Sequence, residues 1–183
     1  VLDQQIQHLQ LVRNRLAHRC TQMENVKEVR DRNQEVTIKE VKPNFLLYAE
    51  VDSPYSFGEI SIATKKCFSQ ALKDSLPIFF QTGVVVPYQK IVEGRYTEAS
   101  VAFLPIENTQ KAQNIITLPQ GRAASIYHYG TYPSVDCSYK KLLNYCKKHQ
   151  LEIISDSYEF CINDYISSGD ESEYITEIFF YVR

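Results

Sequence analysis

From Val36 onward the chain lays out the same order of elements twice, strand, helix, strand, strand, and an internal repeat narrows the fold more than any other feature here. In the first copy "VTIKEVKPNFLLYAEVD" reads as one strand, and the helix after it places Ile60, Thr64, Cys67, Phe68, Ala71 and Leu72 on a single face. Two strands follow, around "PIFFQTGVVVPY" and "RYTEASVAFLPI". A polar link, Glu107 to Gln113, leads to the second copy. There "RAASIYHYG" is a strand, a helix from about Pro133 faces Val135, Tyr139, Leu142, Leu143 and Cys146 inward, and "LEIISDSYEFCIN" and "EYITEIFFYVR" are strands. Each helix is followed by a leucine and then an isoleucine, Leu76 with Ile78 and Leu151 with Ile153, at an offset of 75. Two such units predict an α+β fold: one antiparallel sheet with both helices on one face. Strong twist curls the other face of such a sheet into a groove.

The segment Ser155 to Asn163, "SDSYEFCIN", locates a candidate site within that plan. Tyr158, Phe160 and Ile162 share one side of a strand, so Glu159 and Cys161 share the other. The apolar side is expected beneath the helices, which puts Glu159 and Cys161 on the groove floor. A covered carboxylate needs a partner, because burial without one costs several kcal/mol, on the order of a lost ion pair. A ligand is the partner this reading assigns; an ordinary surface carboxylate is the alternative. By the same alternation Tyr127 and Tyr129 face the groove and His128 faces the core as a hydrogen-bonded residue. Glu177 is a second candidate carboxylate. Nothing cationic near Cys161 in sequence promotes a reactive thiolate.

Ahead of the repeat, residues 2 to about 28 recur as a coiled-coil seam: Leu2, Leu9, Leu16 and Met23 at every seventh position, with Val12 and Val26 three places after two of them. Residues 1–29 are therefore expected to be a self-associating helix, with packing back on its own domain as the alternative, and residues 36–183 a separate domain. The connector "VRDRNQE" joins them. The longest apolar runs, "PIFF" and "VVVP", are far too short to span a bilayer, and the start does not read as a signal peptide, so a cytoplasmic location is expected. Five cysteines without a C-x-x-C pair read as reduced thiols, and no metal or cofactor is expected. A net charge of −2 gives no general attraction to phosphate, so DNA binding by this chain unaided is not expected. Thirteen tyrosines and nine phenylalanines without a tryptophan suit surfaces with one apolar and one wet side.

With "LPQGRAASIYHYG", "KKLLNYCKKHQLEIISDSYEF" and "EYITEIFFYVR" in the second half, and "VVVPY" and "FLPI" in the first, residues 36–183 resemble the GyrI-like effector-binding domains. The helix before them resembles the dimerisation helix of MerR-family transcription regulators of the multidrug-sensing type. The resemblance implies that the carboxylate at Glu159 sits at the base of an aromatic pocket and meets lipophilic cations. Where those sensors carry pocket aromatics, this chain has Ala99, Gly130 and Val135, while Phe79 keeps one; Tyr127, Tyr129, Tyr132, Tyr55 and Phe57 are placed to fill the space from neighbouring positions.

The reading that follows is a non-enzymatic ligand sensor: the effector region of a MerR-type regulator, dimeric through its first helix, reaching DNA only through a domain of about 70 residues absent from this sequence. A GyrI-like hydrolase of small lipophilic compounds, with Glu159 as base, is the alternative. A module that inhibits a partner through an open sheet edge is a third.

Overall fold

A computed structural model describes residues 2–29, 35–79, 81–107, 113–164 and 168–183. Most of the connector and of the polar link after Glu107 lie outside the described residues. The elements are α1 (Leu2–Val29), β1 (Thr37–Val41), β2 (Asn44–Glu50), α2 (Phe57–Lys73), β3 (Gly83–Val86), α3 (Tyr88–Val92), β4 (Val101–Ile106), β5 (Ile115–Leu118), β6 (Gly121–Tyr129), α4 (Asp136–Lys148), β7 (Ser157–Asn163) and β8 (Ile175–Tyr181). The eight strands form one antiparallel sheet in the order β1-β6-β8-β7-β3-β4-β2-β5.

The repeat is visible atom by atom at the helix ends. Leu76 donates its backbone N–H to Ala71 O at 2.8 Å, and Leu151 donates to Cys146 O at 2.9 Å. Each helix thus closes on a residue with positive φ, Ser75 (52°) and Gln150 (54°), and each of these features recurs at the same offset of 75. The offset persists through the next strand. Val84 of β3 corresponds to Glu159 of β7, and these two residues are themselves register partners across the β3–β7 ladder. A pseudo-twofold axis therefore passes between them, and the strand orders β6-β8-β7 and β3-β4-β2 mirror each other about it.

The sequence expectation of one long first strand is corrected. Pro43 has no N–H to donate to a ladder, so the segment divides there. β2 stays in the first unit, while β1 crosses to the far edge and pairs with β6. The short β5 and the single-turn α3 are also additions. Leu72, expected to face inward, is 75% exposed, and Ala63 is buried instead.

α2 and α4 lie on one face of the sheet, over a core that includes Ile60, Ala63, Val84, Ala102, Ala124, Ile126, Tyr139, Leu142 and Phe180. The opposite face carries Leu46, Phe103, Phe160, Phe179 and Tyr181, with Tyr127, Tyr129, Tyr158 and Met23 of α1 packed against them. The expected side assignment of β7 is therefore reversed: Tyr158 and Phe160 lie away from the helices, and Glu159 lies beneath them. The physical reason is space. Two helices pack down on the small side chains of Val84, Ala102 and Ala124, whereas the bulky aromatic ladder fills the curled side.

Candidate functional site

Glu159 is 1% exposed and sits beside the pseudo-twofold axis, flanked by its register partners Val84 and Ile178. Its Oε1 accepts a hydrogen bond of 2.5 Å from the Tyr139 hydroxyl, which reaches down from α4. Tyr139 Oη also lies 2.9 Å from Ser157 Oγ. One phenolic proton cannot serve both, so Tyr139 donates to Glu159 and accepts from Ser157. Glu159 Oε2 is buried and has no hydrogen-bond partner among the described residues, and the same holds for the buried Tyr132 hydroxyl. Burial pushes the Glu159 carboxyl up to about 8, with the Tyr139 hydrogen bond as the opposing effect. Tyr132 and Tyr139 are raised well above the usual phenol range by burial first and by Glu159 second.

Aromatic rings surround this polar centre. Tyr96 stacks on Tyr139 with ring centroids 5.3 Å apart, and Phe180 lies 6.2 Å from Tyr139. Phe57, 59% exposed at the start of α2, lies 6.4 Å from Tyr132 at the outer edge of the cluster. Ser56 caps α2 by accepting from the Glu59 N–H, which fixes where Phe57 leaves the loop. Tyr55 packs against the same cluster. Cys161 is two residues beyond Glu159, and its thiol is pushed up to about 12, chiefly by burial, so it is a protonated neighbour rather than a nucleophile.

The candidate residues thus divide between two faces. Glu159, Cys161, Tyr132, Tyr55 and Phe57 belong to the helix side, whereas Tyr127, Tyr129, Glu177 and Phe79 do not reach them. Tyr127 and Glu177 are register partners on the opposite face, and Glu177 accepts from Lys39 at 2.5 Å and from Ser125 at 3.0 Å. Phe79 lines a cavity of about 310 Å³ on that side, together with Glu177, Phe160, Phe179, Lys39 and Arg19. A groove opposite the helices does exist, but Glu159 is not on its floor. His128 is on the core side as expected, 2.9 Å from Ser138 Oγ.

Sequence reasoning missed Tyr139 as a site residue and missed Tyr96 altogether. Tyr139 carried a signal, since a tyrosine on the buried stripe of a helix requires a polar partner for its hydroxyl. Among the described residues no cluster of acidic, histidine or cysteine side chains is arranged to hold a metal ion, and no helix is long and apolar enough to cross a membrane.

The model of the GyrI-like small molecule binding domain matches residues 34–183. The chain belongs to the GyrI-like family. No curated protein matches it in sequence. Among solved structures, the C-terminal domain of EcmrR is 18% identical and aligns with a TM-score of 0.68 over 81% of this chain and 97% of that one. EcmrR in its cryo-EM complex with DNA is 17% identical, with a TM-score of 0.65 over 100% of this chain and 68% of that one. A hydrolase from Listeria innocua is 10% identical, with a TM-score of 0.54 over 87% of this chain and 98% of that one. At these identities the likenesses establish the fold that the GyrI-like chain shares with them, and no more.

Proposed function

We propose that this GyrI-like domain is the ligand-sensing region of a MerR-type transcription regulator and that it takes a lipophilic cation between α2 and α4. The observation that carries the reading is the pair of orphaned polar atoms, Glu159 Oε2 and Tyr132 Oη, buried among aromatic rings. Buried polar groups are nearly always satisfied, and those that are not mark strain or a site completed by something else. A cation completes this one, because the carboxylate and the faces of Tyr96, Tyr132 and Tyr139 attract the same charge. The EcmrR chain bound to DNA has the same fold and extends beyond the matched part, which supports placing DNA contacts in a further segment of such a regulator. The exposed Leu2, Ile6, Leu9 and Leu16 of α1 support a dimer formed through that helix.

Thermal shift tests the ligand class. Aromatic quaternary ammonium and phosphonium ions are expected to raise the melting temperature of the wild type more than their uncharged isosteres, and Glu159→Gln is expected to abolish the difference. Equal shifts for charged and neutral compounds, or an unaltered preference in the variant, overturn the reading.

The fold shared with the Listeria hydrolase prompts a second reading, hydrolysis with Glu159 as base. A carboxyl that is mostly protonated at neutral pH is a poor base, so sensing ranks first. Mass spectrometry of recovered ligand distinguishes them: a sensor returns the compound unchanged, while an enzyme with kcat near ~0.1 per second converts hundreds of equivalents within hours.

A further inference from the structure

The aromatic cluster already contains a cation, supplied by the chain itself. Lys90 of α3 holds its ammonium 3.4 Å from the centre of the Tyr55 ring and 3.1 Å from Glu98 Oε2. Although ion-paired with Glu98, the Lys90 Nζ is buried and makes no hydrogen bond among the described residues. Glu98 is shared as well, since it accepts from Arg95 at 2.9 Å.

A primary ammonium is a poor occupant of this place. It brings three N–H donors, and burying them unused costs free energy that the ring and an ion pair offset only in part. A quaternary ammonium has no donors to leave unused, and its alkyl groups spread the charge over the ring face. The place is nevertheless well built. Tyr55 is fixed by its backbone N–H to Asp52 O at 2.9 Å, and the segment that carries Glu98 also carries Tyr96, which stacks on Tyr139 over Glu159. Ala99, next to Glu98, lies in the same buried cluster as Tyr139.

We infer that the Tyr55 ring and the Glu98 carboxylate form a cation subsite beside the Glu159 centre, which Lys90 occupies until a quaternary ammonium ligand displaces it. Lys90 is then a specificity-determining residue, because every ligand entering the subsite competes with its ammonium, and ligands that match it poorly are turned away. The inference rests on the reading that this region binds cations, and its test is separable from that reading.

The full chain, labelled with ¹³C at lysine, is titrated with benzyltriethylammonium while the Lys90 ε-methylene signal is followed by NMR. In the free protein that signal is expected well upfield of the other lysines, shifted by the Tyr55 ring and restored to the common position in Tyr55→Leu. Saturating benzyltriethylammonium is expected to move it to the common position in the wild type. Lys90→Met and Lys90→Gln are expected to bind the probe about ten-fold more tightly than wild type, as removal of a competitor present about nine-tenths of the time requires. An uncharged carbon isostere, which the Glu98 carboxylate does not draw into the subsite, is expected to bind weakly to wild type and to both variants alike. An unshifted Lys90 in the free protein, a signal unmoved at saturation, or variants that bind no better than wild type overturn the inference. Failure of the underlying reading has a different signature: Glu159→Gln then binds the probe as tightly as wild type, whatever the Lys90 variants do.

Discussion

Glu159 concentrates the electrostatics of the molecule in one side chain. Its carboxyl, raised to about 8 by burial, is mostly neutral in the empty protein at pH 7, whereas in the unfolded chain it ionises near the ordinary value of 4.5. Between those values the unfolded state binds fewer protons, so the stability contributed by the neutral acid is full below about 4.5 and is lost as pH rises towards about 8. Urea denaturation is therefore expected to give a falling midpoint for wild type over that range and a nearly level one for Glu159→Gln. Cation binding has the opposite sign. A cationic ligand favours the carboxylate, so affinity is expected to rise with pH and to level off above about 8, with a proton released on binding below it; calorimetry in buffers of different ionisation enthalpy measures that proton. Replacing Tyr139 with Phe removes the one hydrogen bond that favours the charged form, and is expected to raise this pKa further while costing about 1–3 kcal/mol of stability. The residue was legible in the sequence as an isolated carboxylate in an apolar strand, but the side it faces was not. Alternation fixes Glu159 against Tyr158 and Phe160 without saying which set meets the helices, and the rule that the greasier set does so failed. It failed because helix packing selects for the small Val84, Ala102 and Ala124, leaving Phe103, Phe160 and Phe179 for the curled side.

Among the elements, the β3–β7 ladder is where the two repeats meet, and Gly83 sets how closely they approach. A Cβ at Gly83 meets the Phe103 ring and the backbone oxygen of Glu159 at distances no real side chain tolerates. Gly83→Ala is expected to lower stability by about 1–3 kcal/mol through this overpacking. Because the displaced atom is the Glu159 carbonyl, the variant is also expected to bind the cation more weakly than its stability loss explains, which titration at a temperature where both proteins remain folded measures. The helices were legible at most positions: Val135, Tyr139, Leu142 and Cys146 are buried as the spacing required, and so are Ile60, Thr64, Cys67 and Ala71, with Phe68 and Leu143 half-buried. Leu72 broke the pattern because the end of a helix needs no second apolar residue once Ala71 and Leu76 have closed it. The break at Pro43 was visible in the sequence, yet the partner that β1 takes, far along the chain from Thr37↔Ser125 at one end of the register to Val41↔Gly121 at the other, depends on sheet closure rather than on any local signal.

At the scale of the whole molecule, α1 is held to the sheet beside the strand that carries Glu159. Arg19 donates from its guanidinium to the Cys161 carbonyl at 2.8 Å, and Gln81 donates to the same oxygen at 3.3 Å. Arg19 is largely buried for an arginine, and burial lowers its pKa against the favourable presence of Asp164. Leu2, Leu9 and Leu16 of α1 are exposed, and under the proposed dimer Leu9→Glu with Leu16→Glu is expected to give a monomer by sedimentation while residues 36–183 keep their melting transition. Sensing requires that a ligand at Glu159 bias the position of this helix, and it does so only through unequal affinity for two arrangements. The physical connection available is two residues of β7, from Glu159 to the Cys161 carbonyl that Arg19 grips. Arg19→Met keeps the apolar stem and removes the donor, so it is expected to leave cation affinity within about two-fold of wild type while abolishing the ligand-induced change in amide hydrogen exchange along α1. A variant that still transmits the full change places the coupling elsewhere, and one that loses affinity as well makes Arg19 part of the pocket's support rather than its link to the helix.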